Sequence, residues 1–87
     1  MKYSDQVVAT LISLHSQTRQ AIRRAPADLD GGKKRDTKAL SPPLQGFSRL
    51  RVGKLRIIYR REPESHAIIA EYLESRATIY ESFPSSL

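Results

Sequence analysis

The sequence predicts a small α+β fold, in which an N-terminal helical hairpin packs on one face of a small, mainly antiparallel sheet of three or four strands. Two patterns indicate this fold: apolar residues recur at helical spacing in the first third, and a two-stranded hairpin alternates apolar and basic residues in the second half. The length of 87 residues allows one domain. We expect the helical hairpin at 1–30, a charged loop at 31–45, and the sheet with a C-terminal segment at 46–87.

The first third is typical of two helices joined by a very short link. Ser4 is a suitable N-cap, and apolar residues then follow at helical spacing, so we expect a first helix that ends near Leu14. Ser16 is the expected cap of the second helix. Pro26 is unfavourable inside a helix because it lacks an N–H group, and it therefore predicts a kink or an early end.

The run from Leu50 to Ile57 is typical of a β-hairpin, with Gly53 and Lys54 as a two-residue type II′ turn. This register places Arg51 opposite Arg56. It also divides the hairpin into an apolar face and a basic face. The first holds Leu50, Val52, Leu55, Ile57 and Tyr59, and the second holds Phe47, Arg49, Arg51, Arg56, Ile58 and Arg60. A third strand is expected at about 67–73, and the segment 76–83 fits either a helix or a strand.

Composition narrows the classes of function. The chain has no cysteine, which excludes disulfides and thiolate chemistry, and it has no apolar stretch approaching a membrane span and no signal-peptide pattern. These features predict a soluble protein of the cytoplasm without a membrane partner. The formal charge of +6 and the pI of about 10.1 indicate a polyanionic partner, either nucleic acid or an acidic protein.

A cluster of cations in the second half is the candidate site. From Thr37 to Arg61 there are seven basic residues and no acidic one. Arg51 and Arg56 should repel each other across the hairpin, and no carboxylate nearby in sequence relieves this. A phosphate would relieve it, since the arginine fork matches phosphate oxygens, and Phe47 offers a stacking surface for a base. A merely solvated basic face remains the alternative.

Catalytic and metal-binding patterns are otherwise missing from the sequence. His15 and His66 are expected at the surface, and no metal-ligand spacing, Ser-His-Asp pattern or phosphate loop is present. We therefore expect no metal and no cofactor. Any hydrolytic chemistry would depend on arginine, lysine and tyrosine side chains.

The hairpin run from Leu50 to Tyr59, the apolar strand after it and the segment from Ser75 to Tyr80 together resemble the RelE/ParE superfamily of bacterial toxins. The helical opening of this family, with its spaced leucines, also fits the first third, so that the resemblance spans nearly the whole chain. The sequence departs from the family at two points. The first strand is cut to two or three residues, and Ser75 stands where the family often has a histidine.

The resemblance implies the toxin of a type II toxin–antitoxin system that acts as a ribosome-dependent, metal-free mRNA endoribonuclease and inhibits translation. In that reaction the 2′-hydroxyl attacks the adjacent phosphate and leaves a 2′,3′-cyclic phosphate. The resemblance assigns Arg56 and Arg76 to charge stabilisation and Tyr80 to base stacking or proton transfer, with Lys54 as a proton donor. Binding of RNA phosphates and bases is assigned to Arg49, Arg51, Arg60 and Phe47.

The partners that the resemblance implies are the ribosome, its mRNA and a cognate antitoxin that masks basic surface. An exposed sheet edge is also a template for a homodimer or for a toxin–antitoxin hetero-oligomer. Two other functions stay open at this point. One is a ParE-like inhibitor of DNA gyrase, and the other is an inactive relic that only binds the antitoxin.

Overall fold

The computed structural model describes residues 2–32, 36–42 and 44–75. Within these ranges two helices pack on one face of a five-stranded mixed sheet. The helices are α1 (Asp5–Ile12) and α2 (Ser16–Asp30), and the strands are β1 (Lys2–Tyr3), β2 (Thr37–Ala39), β3 (Ser48–Val52), β4 (Leu55–Arg61) and β5 (Ile68–Glu74). The strand order is β1-β5-β4-β3-β2, with β1 parallel to β5 and all other pairs antiparallel.

Helix α1 begins where the sequence predicts. The side-chain oxygen of Ser4 accepts a hydrogen bond of 3.3 Å from the backbone N–H of Val7, which caps the helix N-terminus. The helix ends at Ile12, two residues before Leu14. Leu14 is half-buried against the core from the short link that follows.

Helix α2 differs from the prediction at both ends. Its N-cap is His15, whose side chain makes no capping hydrogen bond, so Ser16 is the first helical residue and not the cap. The helix also continues through Pro26 to Asp30, so that of the two predicted outcomes, a kink or an early end, the early end does not occur. Ala25 and Leu29 pack in the core on either side of the proline, and this packing offsets the missing hydrogen bond.

The central hairpin has the predicted register. Val52 faces Leu55 and Arg51 faces Arg56, and the pairing continues along both strands. Gly53 has φ +59°, whereas Lys54 does not have a positive φ. A type I′ turn would need positive φ at both residues, so the turn is of type II′, as predicted.

The sheet has five strands and not the three or four expected, because both of its edges carry a short strand. The two-residue β1 pairs with β5, which agrees with the predicted cut-down first strand. Strand β2 lies in the segment predicted as a charged loop. All three of its residues are exposed, and its strand conformation comes from pairing with β3, with Thr37 opposite Leu50 and Ala39 opposite Ser48.

Strand β5 contains a bulge at Glu71. Ile58 of β4 faces Tyr72, whereas the next residue, Tyr59, faces Ala70, so that Glu71 has no partner in the ladder. The bulge shifts the alternation of side chains along the strand. Ala70 and Leu73 therefore both point toward the helices, although they are three residues apart.

The main core lies between the helices and the sheet. Its buried members are Val7, Leu11, Ile22, Ala25, Leu50, Ile57, Tyr59, Ile68, Ala70 and Leu73. A smaller apolar cluster lies on the opposite face of the sheet, where the buried Leu44 and Ile58 pack with the half-buried Leu40, Phe47 and Tyr72. No helix in the described ranges has the length and apolar content required to span a membrane.

Candidate nucleic-acid interface

Four arginines lie on the sheet face that is turned away from the helices, and we call this surface the arginine face: Arg49 and Arg51 on β3, and Arg56 and Arg60 on β4. The hairpin register places Arg51 directly across from Arg56, one residue from the turn on each strand. Arg51 is exposed and Arg56 is half-buried. One face of the ribbon therefore presents two neighbouring guanidinium groups to solvent, as the sequence predicts.

Carboxylates from distant segments pair with two other arginines of this face, whereas none pairs with Arg51 within the described residues. Arg49 Nη2 lies 2.9 Å from Asp36 Oδ1, and Arg60 Nε lies 3.0 Å from Glu71 Oε1. Glu74 occupies the β5 position opposite Arg56. All three carboxylates come from segments outside the hairpin, and only the tertiary pairing of β2 and β5 with the hairpin brings them to the arginines.

These ion pairs divide the arginine face into two parts. The Arg49 side chain is only 14% exposed, and its Nε is buried without a hydrogen-bond partner. Arg60 is 41% exposed beside Glu71. By contrast, Arg51 makes no ion pair within the described part of the chain, and Arg56 Nη1 donates only a long hydrogen bond of 3.3 Å to the carbonyl of Ser75. The end of the hairpin next to the turn is therefore the part of the face best able to bind an external anion.

The other predicted site residues do not all lie at this end of the hairpin. Lys54 is exposed at the turn itself, where it also lines a hollow of about 400 Å³ between the turn and α2. Phe47 is half-buried in the small apolar cluster with Leu44 and Ile58, so part of its ring is covered. Arg76 and Tyr80 lie outside the described residues, as does the segment 76–83 whose conformation the sequence left open.

Several residues that shape the interface were not predicted from the sequence. Asp36, Glu71 and Glu74 supply the carboxylates, and Gln6 of α1 holds the strand that carries Glu74. The Gln6 side-chain amide donates to the carbonyl of Leu73 and accepts from its N–H, each at 2.9 Å. No local pattern signals these contacts, because the partners lie up to 67 positions apart.

The β1 edge of the sheet carries a second group of charges beside an open hollow of about 570 Å³. Lys2 Nζ lies 2.8 Å from Glu62 Oε1, and hydrogen bonds from Lys2 and Ser65 lower the pKa of the Glu62 carboxyl below its ordinary value. Burial raises the pKa of the Tyr3 phenol, against the opposing effect of the positive Arg23. No group of three or more potential metal ligands occurs among the described residues.

Comparisons with known proteins find a similar fold in solved structures of toxin–antitoxin complexes. A scan against protein-family models gives no match. A search of curated protein sequences gives none either. Among solved structures, the chain is similar to a chain of the RelB–RelE antitoxin–toxin complex of Methanococcus jannaschii, with a TM-score of 0.71, 22% identity and coverage of 97% of this chain and 100% of that chain.

Two further structures are similar to the same extent. The toxin–antitoxin complex RelBE2 of Mycobacterium tuberculosis gives a TM-score of 0.72 at 22% identity, covering 86% of this chain and 94% of that chain. The archaeal RelE–RelB complex of Pyrococcus horikoshii gives 0.70 at 25% identity, covering 87% and 92%. The chain therefore shares its fold with a component of these complexes over most of its length.

Proposed function

We propose that the protein is the toxin of a toxin–antitoxin pair and cleaves mRNA on the ribosome. The observation that supports this most is the pair of the exposed Arg51 and the half-buried Arg56 at the end of the central hairpin, on a fold shared with components of RelB–RelE complexes. A site built from guanidinium groups binds phosphate through paired N–H donors, and it can do so along an RNA backbone.

The proposed chemistry is transfer of the phosphoryl group from the 5′-oxygen of one nucleotide to the 2′-oxygen of the nucleotide before it. The 2′-hydroxyl loses its proton and attacks phosphorus, the bond from phosphorus to the 5′-oxygen breaks, and the leaving oxygen takes up a proton. Negative charge accumulates on the phosphorus oxygens in the transition state, and cations fixed nearby stabilise it. Such stabilisation is the role we propose for Arg56 and Arg76.

The remaining roles rest on position in or beside the hairpin and, for Tyr80, on the family resemblance alone. Arg51 is exposed beside Arg56 and binds a neighbouring phosphate, while Arg49 and Arg60 do so where RNA competes with Asp36 and Glu71. Lys54 at the turn gives a proton to the leaving oxygen. Tyr80 stacks on a base or takes the proton of the 2′-hydroxyl, and the exposed part of Phe47 is a second stacking surface.

The proposed partner is a cognate antitoxin that binds the protein and masks part of its basic surface. The net charge of +6 favours a partner segment with acidic side chains, and such association weakens as salt screens the charges. The protein acts in the cytoplasm in this proposal, because ribosomes and mRNA are its targets.

The test is mRNA cleavage in a purified translation system with the wild-type protein and single variants. Arg56→Ala and Arg76→Ala are expected to slow cleavage by roughly 10²-fold, the usual effect of removing one donor to a developing charge. Arg24→Ala is the matched control, since Arg24 is exposed on α2, away from the arginine face. Cleavage at the wild-type rate by Arg56→Ala and Arg76→Ala would show that these roles are wrong.

Expression in cells separates the ribonuclease from the gyrase inhibitor. The ribonuclease halts protein synthesis first, whereas a gyrase inhibitor causes DNA damage and filamentation while translation continues. The neutralisation of Arg49 and Arg60 by the chain's own carboxylates favours this second function, since it leaves fewer free cations for RNA. A wild-type protein that cleaves no mRNA and causes filamentation would replace the first proposal with the second.

A further inference from the structure

A row of three charged residues crosses the sheet at the end next to the hairpin turn. Arg51 on β3 faces Arg56 on β4, and Arg56 in turn faces Glu74 on β5. Residues directly opposite each other on neighbouring antiparallel strands share one face of the sheet, with their Cβ atoms about 4.5–5.5 Å apart. The two cations are therefore followed by a carboxylate, and we call these three residues the charged row.

Two contacts fix the β5 end of the charged row. The side-chain amide of Gln6 exchanges hydrogen bonds of 2.9 Å with both backbone polar groups of Leu73, the residue before Glu74. Arg56 Nη1 donates a hydrogen bond of 3.3 Å to the carbonyl of Ser75, the residue after it. The Arg56 guanidinium therefore extends toward β5, and the half-buried Glu74 stands beside it on a strand that is held from both sides.

A guanidinium and a carboxylate side by side suit a ligand that carries an anion next to a hydrogen-bond donor. A phosphate bound by Arg51 and Arg56 offers only acceptors, so on its own it would be repelled by Glu74. In RNA the ribose 2′-hydroxyl lies next to the 3′-phosphate and supplies a donor, and this hydroxyl is what distinguishes RNA from DNA at a given site. The charged row therefore matches a ribonucleotide better than a deoxyribonucleotide.

We propose that Glu74 accepts a hydrogen bond from a ribose 2′-hydroxyl whose adjoining phosphate is bound by Arg51 and Arg56, and that it thereby selects RNA over DNA. The same contact gives Glu74 a role in cleavage, and this second step rests on the proposed ribonuclease function. The hydroxyl proton passes to the Glu74 carboxylate as the 2′-oxygen forms its bond to phosphorus, the bond from phosphorus to the 5′-oxygen breaks, and Lys54 protonates the leaving oxygen. Tyr80 then stacks on a base and is not the proton acceptor.

Other proton acceptors in the described part of the chain are placed elsewhere. His15 is the N-cap of α2, and His66 lies in the link between β4 and β5, at the opposite end of β4 from the charged row. Asp36 lies beyond Arg51 on the β2 side, and its carboxylate contacts Arg49 at 2.9 Å. The charged and titratable residues around Glu74 at this end of the sheet are Arg56 and Arg51 in the row, Asp36 beyond them, Lys54 at the turn and Tyr72 two positions earlier on β5.

The first test is binding, which requires neither cleavage nor a ribosome. The probe is a fluorescein-labelled oligouridine of roughly ten nucleotides, and its 2′-fluoro counterpart, which keeps the sugar conformation but has no hydroxyl proton to donate, is the reference. Fluorescence anisotropy at one low salt concentration gives both affinities. The wild-type protein is expected to bind the oligouridine about tenfold more tightly, the usual effect of a hydrogen bond to a charged acceptor.

Two substitutions of the same kind separate this hydrogen bond from the charge of the carboxylate, and each variant is first shown to be folded by circular dichroism. Glu74→Gln is expected to reduce the preference to about threefold or less, because a neutral amide oxygen is the weaker acceptor, and to bind the 2′-fluoro probe more tightly than the wild-type protein does. Asp36→Asn is the matched control, since it removes one negative charge on the other side of Arg51. It should strengthen binding of both probes and keep the tenfold preference.

Cleavage of mRNA in the purified translation system then tests the proton transfer. Glu74→Gln should cleave about 10²-fold more slowly and lose the fall in rate at acid pH that the wild-type protein shows, whereas Asp36→Asn should keep that fall. Equal binding of the two probes by the wild-type protein, or a preference that Glu74→Gln retains in full, would overturn the inference. Unchanged cleavage and pH dependence in Glu74→Gln would overturn the proton transfer. A preference that depends on Glu74 in a protein that cleaves no mRNA would support the contact and count against the ribonuclease alone.

Discussion

The contact between Gln6 and Leu73 gives the sharpest prediction about stability. The side-chain amide of Gln6 pairs with both backbone polar groups of Leu73, as a neighbouring strand would, at a place where β1 is too short to do so. Gln6→Ala removes these two hydrogen bonds, each with a net contribution of about 1 kcal/mol, and a longer one of 3.2 Å that Gln6 Nε2 donates to Thr10 Oγ1. Alanine returns a few tenths of a kcal/mol through its higher helix propensity, so the free energy of unfolding should fall by about 1–2 kcal/mol.

The assay is equilibrium unfolding in urea, together with hydrogen exchange at the Leu73 amide. Gln20→Ala is the matched control, since Gln20 is exposed on α2, and it should change the free energy of unfolding by less than about 0.5 kcal/mol. Gln6→Glu keeps the acceptor for the Leu73 N–H but loses the donor to its carbonyl. It should destabilise the protein at neutral pH and less so once the introduced carboxyl is protonated. Equal stability of Gln6→Ala and Gln20→Ala, with unchanged exchange at Leu73, would refute the reasoning.

Three further predictions concern the hairpin, the small cluster and the sheet edge. Gly53→Ala should lower the free energy of unfolding by about 1–2 kcal/mol, because Gly53 has φ +59°; a change no larger than that of Lys54→Ala in the same urea assay would contradict this. Ile58→Ala, at a fully buried site, should cost about 2–5 kcal/mol, and a cost under 1 kcal/mol would mean that the cluster is not packed. The lowered pKa of Glu62 stabilises the fold above pH 4.5, its ordinary value, and this contribution is lost as the pH falls further. Glu62→Gln should therefore differ from the wild-type protein at pH 7 and converge with it in acid, and a constant difference would show that Glu62 is not the group responsible.

The hairpin could be predicted from sequence because its information is local. Alternation of apolar and basic side chains permits one register, and a shift by one residue would bring Arg51 and Arg56 to the helix side. Gly53 fixes the turn type independently. The position of β5 was predicted to within one residue, 67–73 against the observed Ile68–Glu74, since its apolar run is similarly clear.

The features that were missed depend on contacts between distant segments. Strand β2 has no apolar alternation, and only its pairing with β3 makes it a strand. The proline in α2 is tolerated because the helix packs on both sides of it. Likewise, the ion pair of Arg49 with Asp36 needs β2 in place, and that of Arg60 with Glu71 needs β5, so the arginine face appeared more strongly charged in the sequence than it is in the fold.

The bulge at Glu71 changes which alternate positions of β5 face the core. On one side of Glu71 the even-numbered positions enter the core, as Ala70 does, and on the other side the odd-numbered positions do, as Leu73 does. Removing Glu71 would restore a regular alternation, because Ala70, Tyr72, Leu73 and Glu74 would keep their partners on β4 and their faces of the sheet. The loss would be the carboxylate that pairs with Arg60. A single-residue deletion at the bulge is therefore compatible with the core and would add a free cation to the arginine face.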